Sequence, residues 1–351
     1  MKFGLFGGAR ATRGGPHGDS QGYADYIDYV CEAEALGFHS VFMVEHHFTG
    51  HGQVSASLNV LSYLAARTNR IRLGTAVVVL PWHNPVLVAE QAATLDLRSG
   101  GRFDFGVGKG YRAAEFAGFC VAPDEATERF DEAMAVIRAA WRGDGRFSHH
   151  GKRWHYDNIV VEPAPKQRPH PPFWLGAGSE PSIRRAASEG YNLLLDQLGP
   201  IDLTAARVAI FRDECARVGR PFDPLNIGVT RGLQIVRHEA EREAAIATRL
   251  DVLTAIGGLA RGAGADTYHR IGDQRELREF DDAALLGTPA EIVARLRRLE
   301  AGGVALVLLV DPRPTIETLR FFAREIMPEF ADENSSSPPP GAERGKAATA
   351  A

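Results

Sequence analysis

Along this chain, short apolar runs alternate with stretches whose apolar residues recur at helical spacing. "KFGLFG" (2–7) reads as a strand, and a loop rich in Gly and Arg follows it. "YADYIDYVCEAEALG" (23–37) then places Ile27, Val30, Ala33 and Leu36 on one side of a helix that stops at Gly37. The pairing recurs as "SVFMVE" (40–45) with a helix over 55–68, and as "IRLGTAVVVLP" (71–81) with a helix over 84–99. "RFDFGVG" (102–108) pairs with a helix over 124–141, whose Phe130, Met134, Ile137 and Trp141 form one core-facing stripe. Residues 146–172 break the rhythm with an aromatic hairpin-like piece and a Pro-rich return. "FWLGAG" (173–178), "YNLLL" (191–195), "NIGVTRGLQIV" (226–236) and "VALVLLV" (304–310) complete the strands, with a long charged, Ala-rich stretch over 238–286.

Eight strands alternating with helices over about 330 residues predict the α/β class, as a single (β/α)8 barrel with insertions spanning 1–330. A doubly wound sheet would carry an early dinucleotide fingerprint, whose spacing "FGGARATRGG" does not match. The tail 331–351, "ADENSSSPPPGAERGKAATAA", has almost no large apolar side chains and is expected to be disordered.

Composition narrows the function classes. With 44% hydrophobic and 24% charged residues, net charge −4 and pI near 6.3, nothing points to nucleic acid or an anionic membrane as partner. No run approaches the roughly 18 apolar residues of a membrane span. "MKFGLFGGAR" has no signal-peptide core, so a cytoplasmic location is expected. The three cysteines, Cys31, Cys120 and Cys215, lack metal-ligand spacing and read as ordinary thiols.

In a barrel, reactive groups gather at the C-terminal ends of the strands. Those ends read "GGAR", "EHHF", "VLPWHNP", "GKGYR", "GAGSEPS" and "LLDQ", a polar, Gly-rich rim. His46 and His47 have no partner at metal spacing, so no metal site is expected. Strand alternation puts His46 on the face of Phe42 and Val44, toward the barrel mouth, where an imidazole can donate or accept a proton near neutrality. His47 then faces away and is expected to be mainly supporting. "VGKGYR" (107–112) sets Lys109 between glycines, and "GAGSEPS" (176–182) sets Ser179 and Ser182 at a helix start. Together they suit a phosphate-bearing cofactor.

"EHHF", "LGTAVVVLPWHNP", "GRFDFGVGKGYRAAEF" and the late "GTPAEIVARL", in that order from Met1 to about Phe330, resemble the bacterial-luciferase-like flavin-dependent monooxygenases. The resemblance implies an oxidoreductase that binds FMN at the strand C-termini. Reduced FMN arrives as co-substrate from a separate NAD(P)H:flavin reductase and meets O2 to form a flavin C4a-(hydro)peroxide, which oxidises an organic small molecule. By motif, His46 corresponds to the histidine near the reactive flavin carbon, and Lys109 to a basic residue, often arginine, on the FMN phosphate. Lysine keeps that charge without the bidentate fork. Ser179 and Ser182, with Gly178, fall where hydroxyls and backbone bind the same phosphate. Gly108 and Tyr111 belong to the fourth-strand part of the cofactor site, and Ala76–Val77 matches a non-prolyl cis peptide under the flavin. Residues 238–286 match a mobile shielding region, although their sequence is not close to luciferase. Phe48, Trp82 and His83, with Phe6 and Tyr111 nearby, are candidates for an aromatic substrate cavity. A homodimer through 55–68 and 84–98 is expected, because Leu58, Leu61, Leu64, Val86, Leu87 and Leu95 exceed one inner stripe. The alternatives are a deazaflavin-dependent oxidoreductase on the same barrel and a flavin-binding subunit without activity.

Overall fold

The computed structural model describes residues 1–11, 20–143, 145–259 and 280–331. All but Ala331 of the tail expected to be disordered (331–351), and part of the 238–286 stretch, lie outside these residues.

Eight parallel strands close on themselves. They are β1 (Lys2–Gly7), β2 (Ser40–Met43), β3 (Arg72–Thr75), β5 (Phe103–Gly108), β8 (Phe173–Gly176), β9 (Asn192–Leu195), β10 (Ile227–Ile235) and β12 (Leu306–Val310), and β12 pairs back onto β1. This is the (β/α)8 barrel expected from the alternation. Two-residue β4 (Val78–Val79) continues β3 along β5, and β11 (Leu285–Gly287) adds to the far end of β10. The break in the expected rhythm is an antiparallel hairpin, β6 (Phe147–His150) with β7 (His155–Ile159). The helices that matter below are α1 (Gln21–Ala35), α2 (Ser57–Arg67), α3 (Pro85–Arg98), α4 (Ala113–Gly118), α5 (Ala126–Trp141), α6 (Glu180–Ser188), α7 (Ile201–Arg217) and α8 (Arg242–Leu259).

Because side chains alternate along a strand, each strand feeds two cores. Leu5, Val41, Leu73, Phe105, Leu175, Val229 and Val307 pack outward against the helices. Phe42, Trp174, Leu194, Leu306 and Leu308 fill the barrel interior, with Phe6, Ala76 and Val77 partly buried against them. Each such large side chain contributes roughly 1.5–3 kcal/mol by leaving water. The interior has room for Phe42 only because Gly74 faces it: a Cβ there would lie 2.5 Å from the ring. Near the strand N-termini, Asp104 accepts two bonds from Arg72, at 2.7 and 2.9 Å, and one from the Trp174 indole at 3.1 Å.

Two local features differ from the sequence reading. β2 stops at Met43 rather than Glu45: the Val44 amide still donates to the Gly7 carbonyl, but the His46 amide turns to the carbonyl of Val54. The six-residue helix α4 was not expected; it is too short to show a helical period.

Candidate active site

The early end of β2 changes how "EHHF" is presented. With the strand broken, the alternation argument no longer separates the two histidines; two carboxylates do. Nδ1 of His46 lies 3.1 Å from Oε1 of Glu115, and the backbone N–H of His47 donates to that same oxygen at 3.0 Å. Glu115, on α4, is 2% exposed, and Arg112 flanks it at 3.9 Å. An oxygen that accepts a backbone N–H also accepts from the imidazole, so Nδ1 of His46 carries the proton and Nε2 is the nitrogen left for a reacting group. Burial lowers the His46 pKa below its usual 6.5, and the bond to Glu115 only partly opposes that, so the ring is neutral at pH 7.

Glu45, 3% exposed, is the second anchor. Its Oε1 takes His83 Nε2 at 2.8 Å, His47 Nε2 at 3.2 Å and the Trp82 indole N–H at 3.2 Å. Burial would raise this carboxyl, but the bonds to His47 and His83 outweigh it and bring the pKa down to about 2. A buried carboxylate persists only when compensated in this way. His47, Trp82 and His83 are thereby tied to one point. Phe119 stacks on Trp82 at 5.1 Å and meets the edges of His47 at 4.7 Å and Phe48 at 5.0 Å. Phe48, at φ 55°, is 59% exposed, and the Tyr111 ring stands edge-on to His46 at 6.5 Å.

The other expected residues sit on the adjoining rim. The Ala76–Val77 peptide is cis. Gly108 has no room for a side chain, since its Cβ would fall 2.4 Å from Val77 Cγ2. Pairing of Val107 with Leu175 sets Lys109 and the 177–179 turn on neighbouring strand ends. Lys109 is exposed and donates to Thr127 Oγ1 at 3.3 Å. Ser179 has the extended backbone of an N-cap, yet its hydroxyl bonds Ser182 Oγ at 2.9 Å rather than a first-turn backbone N–H of α6. Gly178 adjoins Arg207 of α7. Inward-facing Gly176 opens onto empty space, with no atom within 4 Å of a Cβ placed there.

Sequence reasoning missed Glu115, Arg112 and Phe119. Glu45 stood in the motif from the start but was not assigned a role. A lone acid in the apolar "AAEF" is the one signal that pointed to Glu115.

The model of the luciferase-like monooxygenase family matches residues 1–306, and the chain belongs to that family. The crystal structure of monooxygenase RslO1 from Streptomyces bottropensis superposes with a TM-score of 0.81 at 25% identity, covering 94% of this chain and 100% of that one. An FMNH(2)-dependent dimethylsulfone monooxygenase of Pseudomonas putida is 27% identical over 84% of this chain and 85% of its own. An F420-dependent glucose-6-phosphate dehydrogenase of Microbacterium testaceum is likewise 27% identical, over 87% of this chain and 93% of its own. The chain spans about half the length, 55% and 53%, of two further curated relatives that it matches at 35% and 32% identity.

Proposed function

We propose that this chain is the oxygenase of a two-component system, using reduced FMN and O2 to oxidise an organic small molecule, with a separate reductase supplying the flavin. The observation that carries this reading is His46, held by Glu115 with its proton on Nδ1 and kept neutral by its burial. The residues present fit the cofactor. Lys109, Ser179, Ser182 and the backbone around Gly178 would hold the phosphate. Ala76, Val77 and Gly108 would offer a small-residue wall to the ring, with Tyr111 at the His46 edge. When bound, reduced flavin supplies the electrons that activate oxygen.

The protein's own part is to hold His46 with its proton on Nδ1 and to offer Nε2 where a proton must be held or passed. The aromatic cluster of Phe48, Trp82 and Phe119 packs around the neighbouring His47. Phe48, Trp82 and His83 form the side from which substrate enters. We place the protein in the cytoplasm as a homodimer; among the described residues, no helix is long and apolar enough to cross a membrane.

The test is to mix photoreduced FMN with the protein without oxygen and then add O2. Tight binding of reduced FMN and a reoxidation rate altered about ten-fold or more are expected. Unchanged reoxidation and no binding would remove the proposal. A second reading, hydride transfer with a deazaflavin, draws on the likeness to the dehydrogenase named above. It predicts that reduced deazaflavin binds and reduced FMN does not.

A further inference from the structure

Arg112 is the N-cap residue of α4, just past the end of β5, and it is 5% exposed. A guanidinium buried to that extent persists where hydrogen bonds and an opposite charge replace its lost water. Its Nη1 donates to Oε1 of Gln53 at 3.4 Å and lies 3.9 Å from Oε1 of Glu115. Its Nε donates to the Tyr111 hydroxyl at 3.4 Å. Gln53, from the segment between β2 and α2, forms an antiparallel bridge with Arg10 of the segment after β1. Beside that bridge the Ala11 amide donates to the Gly52 carbonyl at 2.7 Å. The rim segments after β1, β2 and β5 are thus joined around Gln53 and Arg112.

The carboxylate that Arg112 faces is the one that orients His46. Oε1 of Glu115 takes His46 Nδ1 at 3.1 Å and the His47 amide at 3.0 Å. A negative charge so close to an imidazole favours a second proton on it, and an imidazolium has no lone pair left on Nε2. The Arg112 charge acts the other way, since it offsets the carboxylate and repels a second cation beside it. Two other groups face His46. Glu45 also favours the imidazolium, but its Oε1 is engaged by His47, Trp82 and His83, and the Tyr111 ring stands edge-on at 6.5 Å. Burial is the largest influence and lowers the His46 pKa; the Glu115 bond opposes it, and the Arg112 charge adds to the lowering.

We propose that Arg112, tethered by Gln53, is a positioning residue for the site: it compensates the Glu115 carboxylate, so that His46 holds one proton, on Nδ1, and presents a bare Nε2. The proposal rests on His46 serving the reaction proposed above. The test is an NMR titration of the histidine rings in the full chain from about pH 5 to 9, without flavin, with His46→Gln identifying the His46 signal. Arg112→Met should move the His46 midpoint upward by about one pH unit. Arg112→Lys restores the charge and should bring the midpoint most of the way back. Gln53→Ala keeps the charge but removes its tether, and should move the midpoint upward by less; should Arg112→Met not fold, this variant gives the answer. An unmoved or lowered midpoint in the folded variants, or a shift that Arg112→Lys does not reverse, would overturn the proposal. A purely structural arginine would lower the melting temperature and leave the midpoint where it was. The titration needs no flavin, so its result stands apart from the oxygenase reading, which fails if reduced FMN does not bind.

Discussion

His46 and His47 are sequence neighbours with different anchors, and that difference sets what their removal should do. The His46 ring is hydrogen-bonded to Glu115 and lies outside the Glu45 cluster, so His46→Ala should keep FMN affinity within about three-fold while diverting reducing equivalents to hydrogen peroxide. Peroxide released per reduced FMN consumed measures this, and unchanged release would return His46 to a structural role. His47 lies in the Glu45 cluster, and His47→Ala should first lower the melting temperature. Glu45→Gln keeps the shape but loses the charge behind three hydrogen bonds, at a cost of about 1–3 kcal/mol at neutral pH. The sign with pH follows from its lowered pKa. Glu45 stabilises the fold above its usual 4.5, and that contribution fades as pH falls toward about 2. Denaturant unfolding between pH 5 and 2.5 should therefore show a flatter pH slope for Glu45→Gln than for the parent.

At the scale of elements, strand ends set the chemistry and its stability cost. The neighbouring ends of β5 and β8 put Lys109 beside the start of α6, where the first-turn N–H groups receive no side-chain cap. Lys109→Ala should weaken FMN binding about ten-fold or more and riboflavin binding far less, since a charge-assisted hydrogen bond is worth about 1.5–3 kcal/mol. Equal losses for the two flavins would place the phosphate elsewhere. The end of β12 carries an opposite case. Burial raises Asp311 from 3.8 to about 6, and among the described residues its Oδ1 accepts only the Arg313 amide in partial compensation. A raised carboxyl opposes folding above its folded pKa, and the penalty disappears as pH falls toward the unfolded value. Asp311→Asn should thus stabilise the protein by about 1–2 kcal/mol at pH 7.5 and have little effect at pH 3.5, as read from denaturant unfolding at both pH values.

For the whole molecule, the proposed homodimer keeps only part of the residue set the sequence suggested. Leu58, Leu61, Leu64 and Leu95 are buried in the chain's own core, which leaves them nothing to offer a partner. Tyr63 and Leu87, each 55% exposed, and the nearby Leu97 remain on α2 and α3, and an apolar groove of about 520 Å³ lies between α1 and α2. This exposed apolar surface is where the proposed dimer would form. Light scattering at micromolar concentration should give twice the 38.1 kDa chain mass, and Tyr63→Glu with Leu87→Glu should give the monomer. A monomeric parent would remove the dimer from the proposal.

The sequence by itself determined the eight strands, their order and the barrel, because burying one face of a strand and one stripe of a helix writes a local period into the chain. It also placed "EHHF", Lys109 and the Ser179–Ser182 pair at strand ends, since motifs at those ends are local as well. Only the tertiary structure decided that Glu115, sixty-nine residues beyond His46, fixes its tautomer. Only there do Trp82 and His83 prove tied to Glu45. The same holds for Arg112, which meets Gln53 across the rim. These contacts join residues far apart in the chain, and no period or spacing encodes them. Distance along the sequence carries no information about which buried carboxylate will find which donor until the barrel has closed.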